Sequence, residues 1–183
     1  MKKAKLLVIG HGRHGKDTVS EILCNDFKLS FISSSMFACK KFIYDDLKEK
    51  YNYNSFEECY ADRHNHRSEW YEAIANYCVE DPSKLGKDIF SEHDIYCGLR
   101  NVREFVAMKE QNVFDACIWV DRSEHLPAEG SESMTLTSDM ADYVIDNNSD
   151  LFNLGFHCRR VYNIIESKLH NDDIDNVAVL GYD

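Results

Sequence analysis

Residues 5–18 read Lys-Leu-Leu-Val-Ile-Gly-His-Gly-Arg-His-Gly-Lys-Asp-Thr, an apolar run that breaks into glycines and closes on Gly15-Lys16-Asp17-Thr18. Leu6 to Ile9 are continuously apolar, the pattern of a parallel strand buried on both faces. Gly10, Gly12 and Gly15 clear side chains from a turn whose backbone N–H groups can point inward at an anion. Lys16 opens a helix predicted to reach about Phe27, and the positive end of that helix faces the same anion. The spacing from Gly10 to Gly15-Lys16 fits the P-loop pattern. One position departs from it. Asp17 stands where a hydroxyl residue usually follows the lysine, and the hydroxyl comes one place later at Thr18. The preceding strand, the lysine in register and the following helix outweigh an ordinary glycine turn. Gly12, Arg13, His14, Gly15, Lys16, Asp17 and Thr18 are therefore predicted to hold ATP or a close relative.

A chain of 183 residues fits one domain, 1–183, large enough for a central sheet with helices on both faces. At 44% hydrophobic and 29% charged it has the composition of a soluble globular protein. No stretch approaches the roughly 18 apolar residues of a membrane span. The basic start, Met1 to Lys5, runs directly into the first strand, which leaves no room for a removable signal peptide. Cysteines lie at 24, 39, 59, 78, 97, 117 and 158, an odd number without a CxxC pair and mostly beside apolar neighbours. Buried reduced thiols in a cytoplasmic protein account for them better than disulfides or a zinc site. His64 and His66 lack a third ligand nearby and read as surface histidines. The net charge of −11 disfavours duplex nucleic acid, whose partners present a basic face, and favours a small anionic partner. A homodimer is left open.

Along the chain, Leu29 to Ser35 reads as a second strand ending in hydroxyls, and Met36 to about Lys50 as a helix. Phe56 to Val79 reads as one or two helices. Pro82 starts another that runs to about Glu92. Strands follow at Asp94–Arg100 and Phe114–Val120, with a helix from Val102 to Gln111 between them. Residues 121–140, carrying Pro127, Gly130 and many polar groups, read as a lid loop. Asp142–Asp146 is a fifth strand, and Leu151 to Leu169 a final amphipathic helix. The tail is acidic, then apolar at Val177–Leu180, and is expected to dock on the sheet edge or fray. Strands alternating with helices give an α/β fold with a parallel sheet. Ligands of such sheets sit at the carboxyl ends of the strands. That places Gly10–Thr18, Ser33–Ser35, Gly98–Arg100, Asp121-Arg122 and Asn147-Asn148 around one cleft.

Phosphoryl transfer asks for positioning and positive charge around the moving group. Lys16 is placed to reach the β- and γ-phosphates, with Arg13 and Arg122 on either side. Arg100 follows a strand and is placed between donor and acceptor phosphates, which its planar fork can bind bidentately. Asp17 can hold Mg²⁺ directly or through water. Lys16, Arg100 and Arg122 are thus the catalytic candidates, with Asp17 at the metal.

The glycine loop with Arg13 ahead of Gly15-Lys16-Asp17-Thr18 resembles that of deoxynucleoside monophosphate kinases of the bacteriophage type and of the related animal-type phosphomevalonate kinases. Arg67 opening a helix that leads to Asp81-Pro82, Leu99-Arg100 after a strand, Val120-Asp121-Arg122-Ser123-Glu124 at the lid, and Asp142 to Asn147 continue the resemblance through most of residues 4–169. It implies a nucleoside monophosphate kinase-like fold, ATP, Mg²⁺ and phosphorylation of an existing phosphate. It also implies Lys40, Arg67 and Arg100 toward the acceptor, and with Ser34 of the strand-end hydroxyls they make an acceptor region at about residues 33–88. Trp70 or Tyr71 offers a ring to stack on a base, or serves the core. Two departures stand out. Gly98 occupies the position of the family's aspartate, where Glu104 or Asp17 is left to substitute, and the lid is acidic beyond Arg122. The reading that follows is transfer of the ATP γ-phosphoryl group to a deoxynucleoside monophosphate. Its alternatives are a phosphomevalonate kinase-like enzyme, a kinase of hydroxymethylpyrimidine in DNA, and a nucleotide-dependent binding module.

Overall fold

Leu6–Ile9 form β1, with no exposure at any of the four residues, and the rest of the chain is laid around it. The computed structural model describes the backbone of residues 3–131 and 133–179 and the side chains through Asn171. The other strands are β2 (Phe31–Ser33), β3 (Ile95–Cys97), β4 (Ala116–Asp121) and β5 (Tyr143–Asp146). They form one parallel sheet in the order β2-β3-β1-β4-β5. In register, Leu6 lies between Ile95 and Ala116, and Ile9 opposite Trp119. The chain crosses over on either side of β1, so the carboxyl end of β1 opens at a switch point, where parallel sheets leave room for a ligand.

The side chains of the strands alternate between two cores. Leu7, Ile9, Tyr96, Cys117 and Trp119 face one side, packed with Leu85 and Ile89 of α6 (Lys84–Glu92) and Phe105 and Met108 of α7 (Val102–Glu110). Leu6, Val8, Ile95, Ile118 and Ile145 face the other. They pack with Val19 and Leu23 of α1 (Lys16–Phe27) and Leu154, Cys158 and Tyr162 of α8 (Leu151–Val179). The apolar runs without polar alternation, noted in the sequence, follow from burial on both faces.

A third, smaller core lies among α2 (Ser34–Ala38), a π-helical segment (Cys39–Ile43), α3 (Tyr44–Tyr51), α4 (Phe56–Asp62) and α5 (Arg67–Tyr77). The sequence predicts one helix from Met36 to Lys50. The helix instead starts at Ser34, capped by Ser33, whose hydroxyl accepts from the Met36 N–H at 3.3 Å, and this shortens β2. Its π turn is wider than an α turn. Across it the apolar stripe passes from the first core at Phe37 to the third at Cys39, Ile43 and Leu47. The final helix also runs past its predicted end at Leu169, with helical backbone to Val179. The expected docking or fraying of Val177–Leu180 rests on side chains that lie outside the described residues, as does Leu180 itself.

All seven cysteines are free, and all but Cys24 are buried. His66 is tied to Asp62 at 3.0 Å, with its ring tilted against that of Tyr51. Among the described residues no helix is long and apolar enough to cross a membrane.

Trp70 sits in the third core with 5% exposure, edge-on to Tyr60. Trp70→Ala is expected to lower stability by about 3–5 kcal/mol through the cavity it leaves. Trp70→Phe should cost less, because the indole N–H has no partner among the described residues. Urea denaturation of the three proteins checks this ordering.

Candidate functional site

Gly15 begins the site. Its φ of +93° is one that residues with a Cβ rarely adopt, and a Cβ there would lie 2.3 Å from Asn147 Nδ2. That close approach lets the Asn147 amide, buried at the end of β5, donate to the His14 carbonyl at 2.9 Å. The backbone N–H of Arg122, beyond the end of β4, donates to His14 Nδ1 at 3.1 Å. Two strand ends thus clamp the loop from below. His14 is 1% exposed. An Nδ1 that accepts leaves the ring proton on Nε2, which has no partner among the described residues.

With Gly15 as its first flanking residue, α1 has no side-chain cap, so the N–H groups of its first turn face the loop. Lys16 Nζ donates to the His11 carbonyl at 2.6 Å, which holds the ammonium over the loop. Burial lowers the Lys16 pKa, against the upward pull of Cys97, Glu129 and Asp17. Asp17 is exposed beside it and accepts from the Cys97 thiol at 3.3 Å. Thr18 follows within the same turn. A carboxylate and a hydroxyl are hard oxygen donors that fit Mg²⁺, which commonly takes one or two protein ligands and completes its shell with phosphates and water. Among the described residues no cluster of three or more His, Cys, Asp and Glu offers a closed metal cage.

The lid reaches into this loop. Glu129 Oε2 accepts from the Gly12 N–H at 2.5 Å, and Oε1 accepts from Arg100 Nη1 at 2.8 Å. The Glu129 N–H donates to His11 Nδ1 at 3.2 Å. Burial pushes the Glu129 carboxyl up, but the bonds from Arg100 and Gly12 prevail and hold it below its usual range. His11 is pushed down, first by burial and then by His14, which suits a ring that accepts at Nδ1. Glu129 therefore places a carboxylate against the Gly12 N–H and Arg100, with Lys16 near enough to feel its charge. The acidic composition of the lid was legible in the sequence, but nothing in its pattern singled out Glu129, His11 or Asn147.

The lid is also less free than its composition implies. Met134 and Leu136 are buried in the first core. Thr135 accepts from the Val102 N–H and donates to the Arg100 carbonyl, so the return of the lid is stitched to the loop that carries Arg100.

Beside the loop opens a cavity of about 830 Å³ whose lining includes Ser34, Arg67, Tyr71, Arg100, Arg103 and Glu104. Ser34 Oγ donates to the Gly98 carbonyl at 3.4 Å. Gly98 itself takes a φ of +94°, so a side chain at this position would be strained. Ser34, Arg67 and Arg100 of the predicted acceptor residues meet here. Trp70 does not, being in the core, and Lys40 lies over the Phe56 ring at 5.0 Å instead. Arg13 is exposed in a left-handed conformation with φ of 64°. A second depression of about 700 Å³ is lined by α8 alone and draws nothing from the loops at the strand ends.

Glu104 is the unusual group of the cavity. It has no hydrogen bond or ion pair among the described residues, and burial alone raises its pKa to about 7. Asn101 caps α7 by accepting from the Arg103 N–H at 2.8 Å, yet no reciprocal bond ties Glu104 to the cap.

No known protein family matches the sequence, and no curated protein is significantly similar to it. Among solved structures, a gluconokinase from Sinorhizobium meliloti 1021 is similar with a TM-score of 0.51 and 11% identity, over 93% of this chain and 97% of its own. Shikimate kinase from Bacteroides thetaiotaomicron aligns over 90% and 99% at 10% identity with a TM-score of 0.49. That of Aquifex aeolicus aligns over 92% and 97% at 14% with 0.45. The first likeness establishes a shared fold, and the other two score too low to add to it. The chain has the single-sheet α/β architecture of P-loop kinases.

Two outcomes test the geometry without any ligand. Gly15→Ala must strain a left-handed residue and displace Asn147, and is expected to cost at least about 2 kcal/mol by urea denaturation. Glu104→Gln should raise the melting temperature at pH 8 and lose that advantage near pH 5. The folded-state pKa of about 7 lies above the usual carboxyl value, so the penalty of the buried charge is present above pH 7. It fades as pH falls toward the unfolded value. Melting curves across this range check the sign.

Proposed function

We propose that the protein transfers the γ-phosphoryl group of ATP to the phosphate of a deoxynucleoside monophosphate. The observation that carries this reading is the uncapped start of α1, with Lys16 held over the glycine loop, opening beside a cavity lined by Arg67, Arg100 and Arg103. In a chain of net charge −11, three arginines around one cavity favour an acceptor that brings its own negative charge. The fold likeness bears on the architecture and leaves the acceptor to be decided by the cavity.

In this reading the N–H groups of Gly12 to Lys16 cradle the ATP phosphates, and Lys16 faces the β- and γ-oxygens. Arg122 and Arg13 flank the loop. Arg100 leaves Glu129 for the transferred group, so the positive charge is in place before the transition state forms. Arg67 holds the acceptor phosphate, with Ser34 beside it. Asp17 and Thr18 would hold Mg²⁺, which when bound neutralises charge on the phosphate oxygens.

ADP release from ATP with Mg²⁺, measured over a panel of the four deoxynucleoside monophosphates, phosphomevalonate, gluconate and an oligonucleotide bearing hydroxymethylpyrimidine, tests the reading. A monophosphate should give the highest turnover. ATP loss that no acceptor accelerates would favour a nucleotide-dependent binding module. Lys16→Ala should reduce turnover by roughly 10²–10³-fold, the scale for a lost charge-stabilising donor, while circular dichroism stays unchanged. Near-normal turnover would overturn the P-loop assignment. Because Glu129 occupies the Gly12 N–H and Arg100, ATP must displace it. Glu129→Gln should therefore bind ATP about tenfold more tightly by calorimetry, since bonds to charged groups are worth about 1.5–3 kcal/mol. Weaker binding would mean that Glu129 assists the nucleotide.

A further inference from the structure

The phosphate-facing groups of the site leave Glu104 without a role. A carboxylate in an apolar surround costs free energy unless a donor meets it, and Glu104 meets none among the described residues. The two titratable groups that feel its charge, Tyr96 and Cys78, are both pushed above their usual pKa by burial and stay neutral. Arg103 shares the cavity without forming an ion pair with it. The capping-box bond that would explain a glutamate three residues after Asn101 is not made. The cavity that Glu104 lines has apolar walls at Ile74, Val79, Leu85 and Leu99 among its polar groups, which include Glu72, and Tyr71 contributes a ring that is 69% exposed. An exposed ring, an apolar wall and an unpaired acceptor are the elements of a site for a flat, polar-edged ligand.

We propose that Glu104 is the specificity-determining residue of the acceptor cleft and that it selects a guanine base by accepting its paired N1–H and N2–H donors. This rests on the reading of the cleft as the acceptor site of a nucleotide kinase. An ionised carboxylate only accepts, through two oxygens side by side. Guanine sets two donors next to one another on its pairing edge. Adenine and cytosine set a donor beside a ring nitrogen whose lone pair would face a carboxylate oxygen. Thymine sets a single N–H between two carbonyls. A site built to bond two donors rejects an analogue that lacks one, because an oxygen of the half-buried carboxylate is then left unmet. The donor pair also stabilises the charged form of Glu104, offsetting the burial that disfavours it in the free protein.

The test compares deoxyguanylate with deoxyinosinate, which differs only in lacking the 2-amino group, on wild type and on Glu104→Gln at pH 8. Binding is read by calorimetry and turnover by ADP release. Wild type should bind deoxyguanylate at least tenfold more tightly than deoxyinosinate, and Glu104→Gln should bring the two within about threefold, a gap set by one bond to a charged group. Equal binding of the two nucleotides by wild type, a gap that survives in Glu104→Gln, or no binding of deoxyguanylate would each overturn the proposal. The failures of the two readings are separable. Selective deoxyguanylate binding without ADP formation would keep Glu104 as the base reader and overturn the kinase reading. ADP formation with another acceptor, and none of this selectivity, would do the reverse. Glu104→Asp serves as a second variant. It retains the charge on a shorter arm, so its circular dichroism should match wild type while its deoxyguanylate affinity falls.

Discussion

The positive end of α1 is the constraint on which the rest of the structure depends. A helix start without a side-chain cap leaves N–H groups unmet, and at the carboxyl edge of a buried parallel sheet little protein is available to meet them. The chain answers in two ways. Below the loop, Asn147 and the backbone of Arg122 bond His14, so the loop cannot relax into an ordinary helical turn. Above it, Glu129 brings a carboxylate to Gly12 and Arg100. The loop is thus rigid on its buried side and exchangeable on its open side, which is what an anion site requires.

The same logic explains the charge distribution. Thirty-two acidic residues against 21 lysines and arginines would be expected to neutralise stray cations across the surface. Lys48, Lys50, Lys87 and Arg159 do pair with carboxylates in this way. Arg100 pairs too, but with a lid residue that also bonds the glycine loop, so the pair spans the site. An exposed ion pair contributes little stability. Its consequence lies in position, because one carboxylate holds a guanidinium and a backbone N–H of the glycine loop together.

The cavity beside the loop is built by a different part of the chain. Residues 34–77 make their own small core, and the π turn at Cys39–Ile43 carries the helix from the sheet's core to this one. Trp70 fixes α5 from the inside, which leaves Arg67 and Tyr71 on the cavity side. Opposite them, the turn at Gly98 and the cap at Asn101 set Arg100 and Glu104 on the approach to and the first turns of α7. Three arginines and two carboxylates, Glu72 and Glu104, then share one cleft.

Local sequence determined the strand, loop and start of helix from Leu6 to Lys16, because an apolar run, glycines at fixed offsets and a lysine act through contacts near in the chain. It also determined the α/β class, since strand patterns recur between helical ones, and it placed Ser34 and Arg100 just beyond strands, whereas Arg67, at the start of α5, is named through the family resemblance. Only the tertiary structure decided which groups meet. The pairing of Glu129 with Gly12 spans 117 residues and that of Asn147 with His14 spans 133, and neither leaves a periodic trace. Trp70 was open between core and cleft because a ring on an amphipathic helix has the same pattern in both roles, and its burial settled on the core. In the sequence Glu104 stands out only as a carboxylate left to substitute for the aspartate that Gly98 replaces. Its lack of a partner among the described residues is a property of the space around it, and that space exists only once α5, α7 and the sheet are assembled.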